Sequence, residues 1–598
     1  MKIINIAILA HVDAGKTSLT ESLLSTSMNK EVLGSVDKGT TTTDTDALEK
    51  KRGISIYTAT TSITVGDCKI NIIDTPGHMD FIHEVEQALI ATDLAILVVA
   101  ANDGGIKSQT RKLYNTLREL EIPIIIFVNK IDIGGALVES QINSIKELTH
   151  NRAAMAENTS EVIDVLTLHD DAFLEHVLNE SVTDDIYKRA WTQSVRNGNF
   201  VPIVKGSAIQ LIGISSLIHM IETLSSDKNS LDELSSIVYK KAYNNLGKIQ
   251  TYLRVFSGRI MKQERFVINQ TMIKVCKLWI LENGRLIETN TVNSGDIAIV
   301  EGFDILKIGE WLGDPNKTKV MPIWSKGQFK ASLEYEKGTR RKVLEALNKM
   351  MEVNPFLEYE IDDITREINL ILVGEVQKEV IEDTLNENYQ CKVLLGPVSV
   401  KNKMTPTGCV DEVVIMNTIE NSNWATMRFK LDPLPCGAGF NYETKINTGY
   451  LRQSFQNAIV ESLNRLAYTP YKGKLITDFK LTLTAAEFAS PVSTPSDFRS
   501  ATEVLYHKIM RQVEFVELEP VGKFVLRIPE SALKQAYREL AGIFATIQST
   551  EYEGEMVVIR GEMYLKYSIN YQQKVIAYTN GFGVFDIENI SYQSLISF

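Results

Sequence analysis

At 598 residues the chain is too long for a single hydrophobic core, and its length alone predicts roughly four domains. Its 44% apolar and 23% charged content is ordinary for globular protein and excludes long disorder, and no apolar run is long enough to span a bilayer. The net charge of −12 excludes bulk attraction to nucleic acid, so any RNA contact must come from local patches and shape.

The chain opens on Met1-Lys2-Ile3-Ile4-Asn5, which runs into a predicted strand without a leader pattern. Cys68, Cys276, Cys391, Cys409 and Cys436 include no C-x-x-C pair. A cytoplasmic protein with buried free thiols is expected, rather than a disulfide framework or a structural zinc site.

Residues 2–10 (KIINIAILA) have the β-branched, apolar character of a buried parallel strand. They feed Ala10–Thr17 (AHVDAGKT) and then a helical spacing of Leu19, Leu23 and Leu24. A strand, a Gly-Lys-Thr loop and a helix form the context in which backbone N–H groups cradle phosphates, although Ala10 stands where the bare motif has glycine. Ala14, Gly15, Lys16 and Thr17 are therefore the candidate phosphate-binding residues. Lys16 supplies charge to the β- and γ-phosphates, and the Thr17 hydroxyl is offered to Mg2+.

Further along, KINIIDTPGH (69–78) predicts a strand ending in Asp-x-x-Gly, with Asp74 holding magnesium through water and the Gly77 amide sensing the γ-phosphate. LAILVVA (94–100) is another buried strand, and PIIIFVNKID (123–132) is a third, with Asn129, Lys130 and Asp132 at its carboxyl end. A carboxylate at Asp132 accepts from N1–H and the N2 amine of guanine, where adenine has no donors. VPIVKGSA (201–208) then brings the backbone amides of Ser207 and Ala208 towards the guanine O6. All these motifs fall beyond the carboxyl ends of strands, where ligands bind in an open α/β sheet. Singly, Asp74 reads equally well as a cap for the next segment and Asp132 as a turn residue. Four motifs in this order make the ligand a guanine nucleotide.

Residues 135–200 are helical and polar, an excursion within the nucleotide domain. After Ser225 the period changes. Residues 249–260, 273–280 and 295–302 alternate between Gly-punctuated turns, as a small β-barrel does. Residues 340–396 read helix, strand, strand, helix, strand, a ferredoxin-like order. Residues 401–517 are mixed α/β with loops at 433–440 and 489–499, and the remainder reads as a second α/β plait. The expected division is a P-loop GTPase domain at 1–228, a barrel at 229–320, a ferredoxin-like domain at 321–400, a mixed domain at 401–517 and a plait at 518–598. The fold class is multidomain α/β and β.

RGISI (52–56) and DTPGH (74–78) resemble the translational GTPases, and the domain order resembles elongation factor G. GSVDKGTTTTD (34–44), NIIDTPGHMDF (71–81), GYLRQSFQNA (449–458) and SPVSTPSDFR (490–499) are closest to the tetracycline-resistance ribosomal protection proteins. The stretch between the Asn129 and Ser207 motifs is too short for the extra subdomain typical of elongation factor G.

That resemblance implies GTP as substrate, hydrolysed to GDP and phosphate, with His78 as the catalytic residue orienting the attacking water. Ser55 would complete the magnesium shell, where the family usually has threonine. Val12 and Ile54 match the hydrophobic gate, and Asp13 matches a residue that offsets phosphate charge. No cis arginine finger is recognisable, so slow intrinsic turnover and stimulation by the ribosome are expected.

The implied partner is the 70S ribosome, through the sarcin–ricin loop of 23S rRNA and the decoding region of 16S rRNA. The implied protein acts as a monomer and binds no membrane. The loop Ser490, Pro491, Val492, Ser493 and Thr494 matches the family's drug-site loop, in which the residue matching Pro491 packs on a base and bound tetracycline is released. Pro435–Gly439 is placed similarly. Phe488 and Ala489 stand where the family has tyrosines, and the chain ends at SYQSLISF (591–598), short of the family's C-terminal helix. The alternatives are a housekeeping or regulatory elongation factor G-like GTPase without drug release, or a poorly hydrolysing GTP sensor. An ATP-using metabolic P-loop enzyme is disfavoured by Asn129-Lys130-Ile131-Asp132.

Overall fold

The computed structural model describes the chain apart from residues 1, 29–48, 50–54, 226–232, 245, 269, 316–326, 328, 363–365, 448, 554–555, 570 and 595–598. It divides into two compact units, the first of residues 1–326, 337–357 and 379–392 and the second of 327–336, 358–378 and 393–598. No helix among the described residues is long and apolar enough to cross a membrane.

The first unit is built on a seven-stranded sheet in the order β2-β3-β1-β4-β5-β7-β6. Its strands are β1 (Lys2–Ala10), β2 (Ala59–Val65), β3 (Cys68–Asp74), β4 (Leu94–Ala100), β5 (Ile124–Asn129), β6 (Ala153–Met155) and β7 (Val201–Lys205). Only β2 runs antiparallel to its neighbour. Alternation along β1 sends Ile4, Ile6 and Ile8 into one core, with Leu19, Leu23 and Leu217. Ala7 and Leu9 go to the opposite face, with Val85, Leu89 and Ile145. Burial on both faces explains why these strands are apolar throughout, each large side chain contributing about 1.5–3 kcal/mol. The excursion holds the helices Val138–Leu148, Thr159–Thr167, Asp171–Leu178 and Asp184–Arg196. It also holds β6, too short for its sequence to announce.

The barrel sheet orders 285–288, 277–282, 297–301, 249–257, 235–243 and 311–313. Residues 273–280, expected as one strand, divide into Thr271–Lys274 and Lys277–Glu282. Here the backbone changes partners: Val275 N donates to Glu264 O and Cys276 N to Glu301 O, both at 2.9 Å. Cys276 is consequently exposed, as are Cys409 and Cys436, so buried thiols describe only Cys68 and Cys391.

A buried polar joint ties barrel to sheet. Arg254, fully buried, donates from Nη2 to both Asp93 carboxylate oxygens at 3.1 Å. Asn5 Nδ2 donates to Asp93 Oδ2 at 2.7 Å and to Gly295 O at 3.0 Å. Lys69 Nζ lies 2.9 and 2.7 Å from the Asp296 oxygens, and Asn71 Nδ2 joins Asp296 to Asn5. Beside it, Ile73, Ala88 and Ile90 pack with Ile237, Tyr239 and Ile299.

In the second unit, strands 358–361, 368–372, 329–335 and 393–395 form one sheet in that order. Along the chain the strands and two helices, Arg340–Val353 and Glu375–Glu387, follow in the order strand, helix, strand, strand, helix, strand, which is ferredoxin-like, although Arg340–Val353 and residues 379–387 fall in the first unit. A four-stranded sheet orders 410–414, 425–433, 479–488 and 440–444, and shares a core with the helices Gln453–Ala467 and Pro495–Gln512. The long strand Phe515–Pro529 begins beside Lys403–Pro406 and continues between Met556–Tyr564 and Val584–Ser594.

Removing one member of a buried ion pair leaves an uncompensated charge, a loss of about 3–5 kcal/mol. Arg254→Met should therefore lower the stability of the first unit by that amount, read as an earlier urea transition of a fluorophore placed in the barrel. A transition within about 0.5 kcal/mol of the unmodified protein would remove Arg254 from this role.

Candidate functional site

Parallel pairing brings the carboxyl ends of five strands to one edge: Ile8 registers with Asp74, Ala10 with Val98, Ala100 with Asn129 and Val128 with Lys205. The loop after β1 turns through Asp13 at φ 67° and Gly15 at φ 91° before the helix Lys16–Met28 begins. At Gly15 a Cβ would come within 2.3 Å of Asn129 Nδ2, so both the backbone conformation and the space require glycine. Asn129 Nδ2 donates to Ala14 O at 2.9 Å, and its Oδ1 accepts from Ala208 N at 2.9 Å. Lys130, at φ 65°, donates from Nζ to Asp13 O at 2.5 Å. Three loops expected at the nucleotide are thus stitched together by Asn129 and Lys130.

Lys16 Nζ lies 2.5 Å from Asp74 Oδ1, both side chains buried. Thr17 is buried at the start of its helix and Ala14 beneath the loop, while Val12 and Asp13 are exposed. Asp132 is exposed beyond β5. Ser207 and Ala208 are buried, and the two amides expected at guanine O6 donate within the protein, Ser207 N to Ile212 O and Ala208 N to Asn129 Oδ1. Ser55 is half-buried beside buried Ile56; Ile54, the expected second gate residue, and residues 34–44 lie outside the described residues.

His78 precedes a short 3-10 turn, Met79–Phe81, and its side chain is 26% exposed. Its Nδ1 accepts from Asp80 N at 3.2 Å, so the neutral ring carries its proton on Nε2. Gly77 is half-buried, its carbonyl accepting from Gln109 Nε2. Sequence reading left two contributors unassigned. Gln109 is one, and His11 is the other: Nδ1 lies 3.0 Å from Thr110 Oγ1 and Nε2 3.0 Å from Asp103 Oδ2. His11 lies inside the AHVDAGKT string, which was its only signal.

The oxygen donors at Thr17 and Asp74 suit a hard cation. Among the described residues no cluster of three or more His, Cys, Asp and Glu side chains forms a metal cage. A magnesium site of the P-loop kind needs none, since phosphate and water oxygens supply most ligands.

In the second unit, Ser490, Pro491, Val492 and Thr494 are exposed and Ser493 is half-buried; the Ser490–Pro491 peptide bond is cis. Ser493 closes the loop, its N donating to Ala489 O and its Oγ accepting from Ala489 N, both at 2.8 Å. Ser493 Oγ also donates to Trp424 O at 2.5 Å. Thr494 and Asp497 form a reciprocal capping box on the helix Pro495–Gln512. Burial pushes the Asp497 carboxyl up, but the Thr494 hydroxyl and the amides of Trp424, Thr494 and Asp497 outweigh it and hold the group below the ordinary carboxylate range. Arg452 lies 5.7 Å from the Phe488 ring, and Phe488 lies 5.5 Å from Phe455. Phe455 also stacks on Phe498 with ring centroids 4.6 Å apart, so the 449–458 and 490–499 segments, separate in the sequence, meet around one aromatic cluster.

A P-loop sheet with these loops at its carboxyl edge, followed by barrel, ferredoxin-like and mixed α/β elements, defines an elongation-factor-type GTPase. The family model for the elongation factor Tu GTP binding domain matches residues 1–227, that for elongation factor G domain IV matches 396–514, and that for the elongation factor G C-terminus matches 516–596. Tetracycline resistance protein TetP of Clostridium perfringens is 35% identical, over 99% of this chain and 95% of its own. TetW of Butyrivibrio fibrisolvens is 33% identical over 100% and 96%, and TetM of Staphylococcus aureus 35% over 99% and 96%. A crystal structure of a protein from Thermus thermophilus shares the fold, with a TM-score of 0.74 at 21% identity over 99% of this chain and 97% of that one. The chain belongs to the tetracycline-resistance ribosomal protection family, within the elongation factor G-like GTPases. It is a GTP-hydrolysing enzyme.

Gly15→Ala should leave the chain folded and weaken nucleotide binding at least about 10²-fold. Strain at positive φ and loss of the Asn129 bonds together amount to roughly 3 kcal/mol. Titration with a fluorescent GDP checks this, and affinity within threefold of the unmodified protein would contradict it.

Proposed function

We propose that this GTPase acts on the ribosome, where it binds near the decoding region and releases tetracycline. The observation that carries the proposal is the Ser490–Thr494 tip: exposed at Pro491 and Val492, closed on itself through Ser493, in a chain whose relatives, matched over 95–96% of their length, are named tetracycline resistance proteins. Proline fixes φ and offers a flat apolar face to an unpaired base, while Val492 competes for the drug's volume. The five-part division at residues 228, 320, 400 and 517 belongs to the same proposal.

In the nucleotide site the main-chain amides of Ala14, Gly15 and Lys16 hold the phosphates. Lys16, paired with Asp74 in this structure, turns its ammonium to the β- and γ-phosphates when GTP enters. Thr17, Ser55 and Asp74 would hold Mg2+, which supplies charge neutralisation across the phosphate oxygens. Asp132 accepts from the base, with Asn129, Lys130, Ser207 and Ala208 shaping its bed. The proton on Nε2 gives His78 a donor with which to orient the attacking water, a positioning role. Val12 and Ile54 screen the histidine, Asp13 and Gly77 lie along the phosphates, and contact with the sarcin–ricin loop turns the ring into line.

A second reading, a housekeeping or regulatory ribosomal GTPase without drug release, is favoured by Phe488. Its ring packs on Phe455 near Arg452, so the position before the loop offers no phenol.

His78→Ala should bind GTP normally and lose ribosome-stimulated hydrolysis by at least about 10²-fold. Single-turnover phosphate release with 70S ribosomes is the measurement, and full activity would sink the assignment.

Pro491→Gly with Val492→Gly should spare hydrolysis and slow release of labelled tetracycline from ribosomes roughly tenfold, base stacking being worth about 1–3 kcal/mol. An unmodified protein that hydrolyses GTP on ribosomes and releases no drug would leave the second reading in its place.

A further inference from the structure

Between Ser55 and the start of β2 at Ala59 lie three residues whose backbone amides all donate to side chains from elsewhere. Glu49 Oε1 accepts from Ile56 N at 2.9 Å and from Tyr57 N at 3.1 Å. Glu84 Oε2, from the helix Ile82–Ile90, accepts from Thr58 N at 3.0 Å, and Thr58 Oγ1 donates to Glu84 O at 3.1 Å. Thr58 is 3% exposed, Glu49 5% and Glu84 7%, so two carboxylates are spent in a nearly dry place on backbone amides.

Buried carboxylates of this kind are costly without positive charge nearby. The barrel brings one such charge close. Lys240, on the strand Ser235–Tyr243, donates from Nζ to Thr58 O and lies 5.3 Å from the centre of the Tyr252 ring. Burial holds its ammonium below the ordinary lysine range, and the carboxylates of Glu84 and Glu49 offset only part of that. Next to it, Tyr239 and Thr60 share a hydroxyl hydrogen bond of 3.2 Å, and burial drives both Tyr239 and Tyr252 upward, Tyr252 to about 12.

We propose that Lys240 is a positioning residue of the nucleotide site: with Glu49 and Glu84 it fixes the backbone of residues 56–58, and through it the Ser55 hydroxyl, so that the barrel helps to distinguish a triphosphate from a diphosphate. The inference rests on the reading of Ser55 as a ligand of nucleotide-bound magnesium. Only the triphosphate form draws on that hydroxyl, through the γ-phosphate and its metal, so the ordering of residues 56–58 favours GTP over GDP. A ligand gains from a preformed segment only in the state that touches it, and freeing three residues charges their conformational entropy to GTP binding alone.

The test is affinity of the full chain, with magnesium, for fluorescent GDP and for a fluorescent non-hydrolysable GTP analogue, with melting temperature in parallel. Lys240→Met should keep GDP affinity within about twofold and lose at least about tenfold for the analogue. Lys240→Arg, which keeps the charge, should restore it. Unchanged analogue affinity in Lys240→Met, or equal loss for both nucleotides, overturns the proposal. Should Lys240→Met fail to fold, Glu49→Ala, which removes the acceptor for the amides of Ile56 and Tyr57, decides by the same ratio. Ser55→Ala separates the two layers of the argument. A selective loss there without one in Lys240→Met overturns this proposal alone, and no selective loss in Ser55→Ala overturns the reading of Ser55 beneath it.

Discussion

Everything at the nucleotide edge depends on the side-chain amide of Asn129. One end of it takes the Ala14 carbonyl and the other the Ala208 amide, joining the loops after β1, β5 and β7. A single planar group with donor and acceptor fixed at opposite corners can do this; a carboxylate lacks the donor. Gly15 follows from it, because the amide occupies the space a Cβ would need. Lys130 repeats the stitch one residue later, on Asp13 O. The cradle is held by the protein itself, so part of its ordering is complete before a phosphate arrives.

The first unit uses charge where apolar packing alone would leave domains free to slide. Arg254 with Asp93, and Lys69 with Asp296, cross from barrel to sheet inside a mostly apolar boundary. Ion pairs of this kind add little net stability over a hydrophobic contact, yet they have one good geometry, and Asn5 and Asn71 fix it further by bridging both acids. In an enzyme whose nucleotide loops sit at one sheet edge, a barrel held in fixed register becomes a reference frame for those loops.

Much of this was legible in the sequence because local chemistry writes it. β-branched runs declare β1, β3, β4, β5 and β7, and loop motifs at their carboxyl ends declare the ligand. What escaped was written in no local period. β6 has three residues, too few to show alternation. The strand Phe329–Tyr335, which sits inside the ferredoxin-like sheet, lies upstream of residue 340, where the helix-strand pattern begins. The break at Val275–Cys276 arises because the backbone changes partners, which apolar residues on both sides conceal. The joins were hidden for the same reason: Lys240 and Thr58 are 182 positions apart, Arg254 and Asp93 161. Asn129 was visible as a residue of the base site, but its two internal bonds were not.

The strand Phe515–Pro529 carries a mechanical consequence. At about 3.3 Å per residue its 15 residues reach roughly 50 Å. Lys403–Pro406 grips its first part, and Met556–Tyr564 and Val584–Ser594 flank the rest. A pull applied along it loads the ladder hydrogen bonds in shear, many at once, instead of peeling them one by one. The strand therefore acts as a tie-rod, carrying tension from the mixed α/β domain into the C-terminal sheet with little stretch.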